Sequence, residues 1–129
     1  MLEKWGAKQE KGQFFIELNP KDHKKIINEL KDKKARLITI SGLDDGILKA
    51  IYHFELNEQL LHLFVPLDSK KPKIDSITKA YPNASFYERE LAEMFNIKVK
   101  GHPDLRPLFL SKDMQGKAPL RKSIEVKNQ

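Results

Sequence analysis

Two apolar segments separated by a dipeptide constrain the fold of this chain more than any other feature. GILKAIYHFEL and QLLHLFVPL flank Asn57-Glu58. A two-residue turn at this point predicts an antiparallel hairpin whose strands pair residue by residue. The predicted pairs are Leu56–Gln59, Phe54–Leu61, Tyr52–Leu63 and Ala50–Val65. One face of the hairpin is then almost wholly apolar, which is typical of an antiparallel sheet with one buried side.

The same register places His53 opposite His62 on the other face of the hairpin. Two imidazoles could supply half of a metal site, but no carboxylate or third histidine is spaced to complete it. The better interpretation is a partly exposed cross-strand pair. We therefore predict that the chain holds no metal.

The segments around the hairpin predict a small α+β domain. Phe14–Leu18 and ARLITIS (35–41) have the composition of short strands. NPKDHKKIINELKDK predicts a helix, with Asn19 as its N-cap and Pro20 at the first helical position. Strands first, then a helix and an irregular C-terminal tail, favour a small, mostly antiparallel sheet with helices packed on one face. With no repeat or linker, residues 1–129 form a single predicted domain.

Composition excludes several classes of protein and site. The chain has no cysteine, so it can form neither a disulfide nor a thiolate-ligated iron–sulfur cluster or zinc site. No apolar run approaches the ~20 residues that a membrane-spanning helix needs. The N-terminal MLEKWGAKQEKGQ lacks the apolar core of a secretion signal, so the cytoplasm is the expected compartment. Of the 24 basic residues, 20 are lysines, which are usually solvated surface side chains.

A segment rich in helix-capping and charged residues, YPNASFYERELAEMF, begins at Tyr81. Ser85 and Glu88 have the spacing of a capping box at the start of an amphipathic helix. Its predicted buried stripe is Tyr87, Leu91, Met94 and Phe95, with Arg89 and Glu93 on the opposite side. Glu88 and Glu90 would point about 200° apart on this helix, so they cannot act as an acid/base pair on one substrate atom.

The following GHPDLR segment predicts a rigid turn that presents charge. Pro103 restricts His102 to extended geometry, and Asp104 can accept backbone amides within the turn. Arg106 would then be held in a fixed position, an arrangement suited to docking. No nucleophile–base arrangement, phosphate-binding glycine loop or metal-ligand spacing occurs elsewhere in the sequence.

Taken together, YPNASFYERELAEMF, GHPDLR and PLRKS (119–123) resemble the 30-kDa subunit family of respiratory complex I. Related subunits occur in membrane-bound, energy-converting nickel–iron hydrogenases. The resemblance covers residues 36–123 and has the hairpin in its expected place. It implies an α+β domain without a redox centre, lying in the hydrophilic arm of the complex. The implied partners are the large subunit, which holds the quinone or nickel–iron site, and the small iron–sulfur subunit.

The chain also departs from the family pattern. Asn96 stands where the family usually has glycine after the helix, but asparagine tolerates the left-handed C-cap conformation. Pro107 replaces a usual second arginine, and Ala118 and Ser123 replace a usual histidine and aspartate. The short chain is more similar to the small hydrogenase subunit than to the respiratory one.

The resemblance implies a non-redox structural subunit of a hydrogenase that moves electrons from ferredoxin to protons, coupled to ion translocation. The alternative is the equivalent subunit of an oxidoreductase that transfers electrons from NADH or another reduced cofactor to quinone. A free-standing RNA-binding domain is a remote alternative, since the +6 charge has no accompanying aromatic motif. The expected location is the inner face of the cell membrane, reached through partner subunits. No catalytic, cofactor-binding or metal residue is predicted.

The predicted site residues form two groups. The docking residues are Glu90, His102, Asp104, Arg106, Arg121 and Lys122. The residues that shape the motif are Ser85, Glu88, Arg89, Gly101 and Pro103.

Overall fold

The computed structural model describes residues 5–104, and the predicted C-terminal tail lies outside this range. The elements are β1 (Lys8–Glu10), β2 (Gln13–Glu17), α1 (His23–Asp32), β3 (Arg36–Asp44), β4 (Leu48–Leu56), β5 (Gln59–Pro66), β6 (Lys73–Asp75), α2 (Ala84–Phe95) and β7 (Lys98–Lys100). The predicted α+β class is confirmed. A five-stranded sheet of order β1-β2-β5-β4-β3 lies beside a two-stranded sheet of β6 and β7.

The predicted hairpin is formed by β4 and β5, in the predicted register from Leu56–Gln59 to Ala50–Val65. Its turn residues both have left-handed backbone conformations, with φ of 52° at Asn57 and 65° at Glu58. Two consecutive left-handed residues characterise a type I′ turn, whose twist matches that of the strands. Asparagine adopts this conformation readily, whereas glutamate does so at some cost.

The large sheet is antiparallel except where β2 pairs with β5 in parallel. This pairing brings the first predicted strand to the free edge of the hairpin, while β3 occupies its other edge. Both helices contribute side chains to the same core as the apolar face of the hairpin. The fully buried side chains of this core include Ile27, Leu30, Tyr52, Phe54, Leu61, Leu63 and Leu91.

Helix α2 packs closely against β3 at Gly42. A Cβ atom at this position would lie 2.7 Å from Cδ2 of the Phe95 ring, well inside van der Waals contact. Phe95 itself is buried, and it ends the helix one residue before Asn96. Asn96 has φ of 55° and ψ of 41°, so it forms the left-handed C-cap that the sequence predicted.

The predicted start of α1 is wrong. The helix begins at His23 with Asp22 in the N-cap position, and no side chain caps it. Asn19 instead accepts the backbone amide of Lys21 on its Oδ1 at 3.0 Å, which closes a local turn before the helix. Asparagine side chains bond readily to the amide two residues ahead, and here that turn prevails over capping.

The sequence did not predict three short strands, β1, β6 and β7. Each has only three residues, which is too short for a period-two apolar pattern to be recognised. Strands β6 and β7 pair in parallel, with Ile74 beside Val99 as their buried residues. This small sheet joins the segment after the hairpin to the segment after α2.

Candidate docking site

The predicted capping box is absent from the start of α2. The helix begins at Ala84, Asn83 occupies the N-cap position, and no side chain caps the end. Ser85 is therefore the second helical residue, where its hydroxyl lies inside the first turn. From this position it cannot serve as the N-cap. Glu88, the other predicted member, faces the core.

Glu88 fixes α2 to the segment that follows β6. Its side chain is fully buried. Oε1 accepts the hydroxyl of Ser76 at 2.7 Å, and Oε2 accepts the backbone amide of Ile77 at 2.8 Å. Burial raises the pKa of Glu88, although these two hydrogen bonds and the neighbouring His102 act in the opposite direction. Glu88 thus has a structural role, as predicted, but with different partners.

His102 fixes the loop after β7 to the first turn of α2. The backbone amide of Asp104 donates to Nδ1 at 2.8 Å, so in the neutral ring the proton resides on Nε2. Nε2 in turn donates to the carbonyl oxygen of Ser85 at 2.8 Å. The same nitrogen lies 4.0 Å from Oε1 of Glu88, and both side chains are fully buried. Each ring nitrogen therefore has a partner.

The backbone from Gly101 to Asp104 forms the compact turn that the GHPD sequence predicted. Gly101 has φ of 82°, a conformation that a side chain would strain. Pro103 is exposed at the tip, between the buried ring of His102 and the anchored amide of Asp104. Of the predicted docking residues, Arg106, Arg121 and Lys122 lie outside the described residues.

Glu90 occupies a different surface from Glu88, as the helical geometry predicted. It lines a groove of about 270 Å³ between α2 and β3, together with Ser41, Gly42, Leu91, Met94 and Phe95. Glu90 and its neighbour Arg89 are both half-buried. The structure therefore brings His102, Asp104 and Glu88 together, and it leaves Glu90 on the adjoining face.

The arrangement has a structural role, because the side chains of Glu88 and His102 already form hydrogen bonds that connect separate segments of the chain. Glu88 accepts two hydrogen bonds, and both nitrogens of His102 are occupied. Between residues 5 and 104, no group of three histidine, aspartate or glutamate side chains could hold a metal ion. No helix in the same range is long and apolar enough to cross a bilayer.

The predicted His53–His62 pair exists, and it belongs to a longer chain of hydrogen bonds. The two Nδ1 atoms lie 2.7 Å apart. Nε2 of His62 lies 2.7 Å from Oε1 of Gln13, and Nε2 of His53 lies 2.8 Å from the hydroxyl of Ser41. Because Gln13 accepts, His62 donates to it from Nε2, His53 donates to His62 and Ser41 donates to His53. Sequence reasoning missed Ser41 and Gln13, because only the non-local strand pairings bring them to the pair.

The comparisons with known proteins agree with the motifs and the fold. A sequence model of the 30 Kd subunit of the respiratory-chain NADH dehydrogenase matches residues 16–129. The chain belongs to this family. The match extends beyond residues 36–123, the range over which the motifs resemble the family, and it includes α1 and the last two residues of β2.

Two relatives in the 30 Kd subunit family match most of the length of this chain. One subunit of the F420H2 dehydrogenase of Methanosarcina mazei is 40% identical over 94 residues, which are 69% of this chain and 60% of that protein. One subunit of the NADH-quinone oxidoreductase of Yersinia pestis is 37% identical over 117 residues, which are 88% of this chain. The matched segment is only 19% of that much longer protein.

Two solved structures share the fold of this 30 Kd subunit family member. One chain of the membrane-bound sulfane sulfur reductase, an archaeal respiratory membrane complex, superposes with a TM-score of 0.79 at 22% identity. The superposition covers 98% of this chain and 85% of that one. A trypsin-resistant fragment of Nqo5 superposes with a TM-score of 0.71 at 21% identity, covering 80% of this chain and 92% of the fragment.

Proposed function

We propose that the chain is a non-catalytic structural subunit of a membrane-associated redox complex related to respiratory complex I. The observation that carries this proposal is the family match over residues 16–129. The names of the relatives support it, because both are subunits of multisubunit oxidoreductases. In this role the chain contributes a binding surface, while electron transfer takes place in its partners.

The geometry of the candidate docking site supports a binding role. His102 holds the turn that leads to Leu105 and Arg106 by hydrogen bonds at both ring nitrogens. A segment that is ordered before binding loses less conformational entropy when it docks. The proposed partners are the large subunit, with its nickel–iron or quinone site, and the small iron–sulfur subunit. The chain itself is proposed to hold no cofactor, and to lie on the cytoplasmic face of the membrane through these partners.

The type of complex is the finer part of the proposal. The 40% identity with the F420H2 dehydrogenase subunit supports a complex that oxidises a reduced soluble cofactor. We therefore favour this function, which the sequence analysis gave as the alternative. The sequence analysis favoured a subunit of a ferredoxin-dependent nickel–iron hydrogenase, and that assignment stays a prediction.

Affinity purification of the tagged chain from membranes of its native host tests this proposal. We expect a large subunit and a small iron–sulfur subunit to copurify, and mass spectrometry identifies both. The purified complex is then assayed with F420H2, NADH and H2 as electron donors in parallel. Oxidation of F420H2 or NADH supports the favoured complex, whereas hydrogen turnover by a nickel-containing subunit supports the hydrogenase. Recovery of the chain alone from gently solubilised membranes would refute the proposal.

A further inference from the structure

Four lysines from two separate segments line one concave surface of about 490 Å³. We call this surface the lysine pocket. Its lysines are Lys70, Lys71, Lys73 and Lys98, and its other lining residues are Pro72, Asn96 and Ile97. All four lysines are exposed, whereas Pro72 and Ile97 are buried beneath them. Three of these lysines are neighbours in the sequence, and the fold adds Lys98 to them.

The small parallel sheet creates the lysine pocket. Lys73 of β6 is the register partner of Lys98 of β7, and the backbone amide of Lys98 donates to the carbonyl of Pro72 at 2.9 Å. Ile74 and Val99 alternate with the lysines and point into the core. The apolar residues thus hold the two strands together, and the lysines are directed to the solvent side by the period of two.

The positive charge of the lysine pocket is not neutralised within the described chain. None of its four lysines forms an ion pair with a carboxylate of residues 5–104. Asp68 lies nearby in sequence, but its Oδ1 accepts the backbone amide of Lys70. Asp75 is the register partner of Lys100, beyond the pocket. Like charges on neighbouring strands are destabilising, so an anionic ligand would relieve a repulsion that the free chain retains.

We propose that the lysine pocket binds an extended acidic segment of a partner protein. The inference rests on the proposed function, because a subunit of a complex has protein partners. In an extended segment, every second side chain repeats at about 6.6–6.8 Å. Lys98 of the pocket and Lys100, which lies just beyond it, are both exposed and alternate with the buried Val99, so they continue the row of lysines along β7 with this repeat. Carboxylates at alternate positions can therefore meet successive lysines.

The composition of the lysine pocket argues against other anions. Among residues 5–104, its lining includes no aromatic ring on which a nucleic-acid base could stack. The described part of its lining also has no arginine for the bidentate recognition of phosphate, and the amide of Lys98 is already bonded to Pro72. Lysine provides mobile, hydrated point charges, which suit a row of carboxylates without demanding one fixed geometry.

Fluorescence anisotropy with the full-length chain tests the inference. The probe is a short labelled peptide with glutamate at every second position. We expect the double variant Lys71→Glu/Lys98→Glu to weaken binding of this peptide by about tenfold or more. The matched control is Lys21→Glu/Lys24→Glu, which makes the same charge change at exposed positions near the start of α1. We expect the control to lower the affinity by less than about threefold, and thermal melts verify that both variants fold.

Three results would overturn the inference. One is equal weakening by the two double variants, which would mean that only net charge attracts the peptide. Another is no binding by the wild-type chain at moderate salt. The third is tighter, pocket-dependent binding to phosphatidylglycerol vesicles or single-stranded RNA than to the peptide.

The proposed function can fail independently of the lysine pocket. If the wild-type chain copurifies with no other subunit yet binds the peptide through the pocket, the proposed function fails and the pocket remains. If the native complex forms and both double variants bind the peptide alike, only the inference about the pocket is wrong.

Discussion

A buried carboxylate is costly unless it is hydrogen-bonded, and Glu88 meets that condition with a hydroxyl and a backbone amide. It occupies the core stripe of α2 between Ala84 and Leu91, where an apolar residue would be expected. The backbone amide of Ser76 still bonds to the carbonyl of Lys100 in β7, at 2.8 Å, but the amide of the next residue, Ile77, bonds to Glu88, so the carboxylate supplies a hydrogen bond where the strand pairing ends. Glu88 therefore substitutes for secondary structure at this point.

Substitution of Glu88 should distinguish its hydrogen bonds from its charge. Glu88→Gln keeps one acceptor for the Ile77 amide, and its NH₂ can donate to the Ser76 hydroxyl. We expect only mild destabilisation. Glu88→Ala leaves the Ile77 amide without its acceptor and the Ser76 hydroxyl with only Thr78 as a partner, and should lower the free energy of unfolding by about 2–4 kcal/mol. Urea denaturation of the two variants measures the difference. Equal losses would show that the hydrogen bonds are not the main contribution.

The pH dependence of Glu88→Gln gives a second readout of the same residue. The folded-state pKa of Glu88 lies above its unfolded value, mainly because of burial. Its contribution to stability is therefore greatest at low pH and is lost as the pH rises through the folded pKa. Glutamine does not titrate, so the variant should gain stability relative to wild type as the pH rises above about 4.3, the ordinary pKa of glutamate. A relative loss over this range would contradict the raised pKa.

The histidine pair should make stability depend on pH in the opposite direction. Burial lowers the pKa of His53 and of His62, and the charge of His62 lowers that of His53 further. Both rings are then neutral when folded, and stability is lost as the pH falls from about 6.5 through the folded values. Urea midpoints of wild type should fall as the pH drops below about 6.5. The double variant His53→Gln/His62→Gln should have a flatter profile, and an unchanged profile would show that the pair does not titrate in this range.

At the scale of elements, the sequence predicted the contacts between residues that are close together in the chain, and it did not predict the contacts between distant segments. The β4–β5 hairpin was predicted residue by residue, because its turn and its alternation are local. The C-cap at Asn96 was predicted for the same reason. The parallel pairs β2–β5 and β6–β7 join segments that are far apart in sequence, and no local pattern indicates them.

The candidate site shows the same limit. The sequence indicated that Glu88 is structural and that GHPD forms a rigid turn, but it did not indicate their partners. Glu88 bonds to residues 11 and 12 positions earlier, and His102 bonds to Ser85, 17 positions earlier. The Ser85–Glu88 spacing matched a capping box, yet the helix began one residue before Ser85. The N-cap is Asn83 and not Ser85, and this shift of two residues changed the role of both side chains.

The contact between α2 and β3 provides a test at the element scale. Gly42→Ala should be destabilising by about 1–3 kcal/mol, because its Cβ would overlap the Phe95 ring. Phe95→Leu removes part of that ring and should partly relieve the overlap. The double variant should therefore be more stable than the sum of the two single effects predicts, as measured by a double-mutant cycle in urea. Additive effects would mean that Gly42 is required for another reason.

At the scale of the whole molecule, the fold separates a core from two polar surfaces with different character. The GHPD turn is braced by buried hydrogen bonds, and it leads into a segment with prolines on both sides of Arg106. The lysine pocket lies at β6 and β7, and its cations are mobile and exposed. The first surface suits a fixed contact with one partner, whereas the second suits electrostatic attraction of an acidic segment. A protein that docks in a larger assembly can use both.

The sharpest test of the docking role is Arg106→Ala in the native complex. The backbone is anchored two residues earlier, at Asp104, so an arginine here would dock with little loss of conformational entropy. We expect the isolated variant to melt close to wild type but to be retained poorly by its partner subunits. Truncating one side of a buried interfacial charge pair costs about 2–5 kcal/mol of binding free energy. Copurification with the large subunit, beside a thermal melt of the variant alone, measures both effects.

The matched control for Arg106 is Arg36→Ala, which removes the same charge from the outer strand of the sheet. The guanidinium of Arg36 lies 3.1 Å from Glu55, and both side chains are substantially exposed. Exposed ion pairs contribute about 0–1 kcal/mol, so this variant should fold and assemble almost normally. Added salt should weaken retention of the wild-type chain through the Arg106 contact only slightly if that contact is buried, and strongly if it lies on the rim. If Arg106→Ala assembles normally but melts at a much lower temperature than wild type, the arginine stabilises its own loop. Loss of a docking residue would instead impair assembly and leave the melting temperature unchanged.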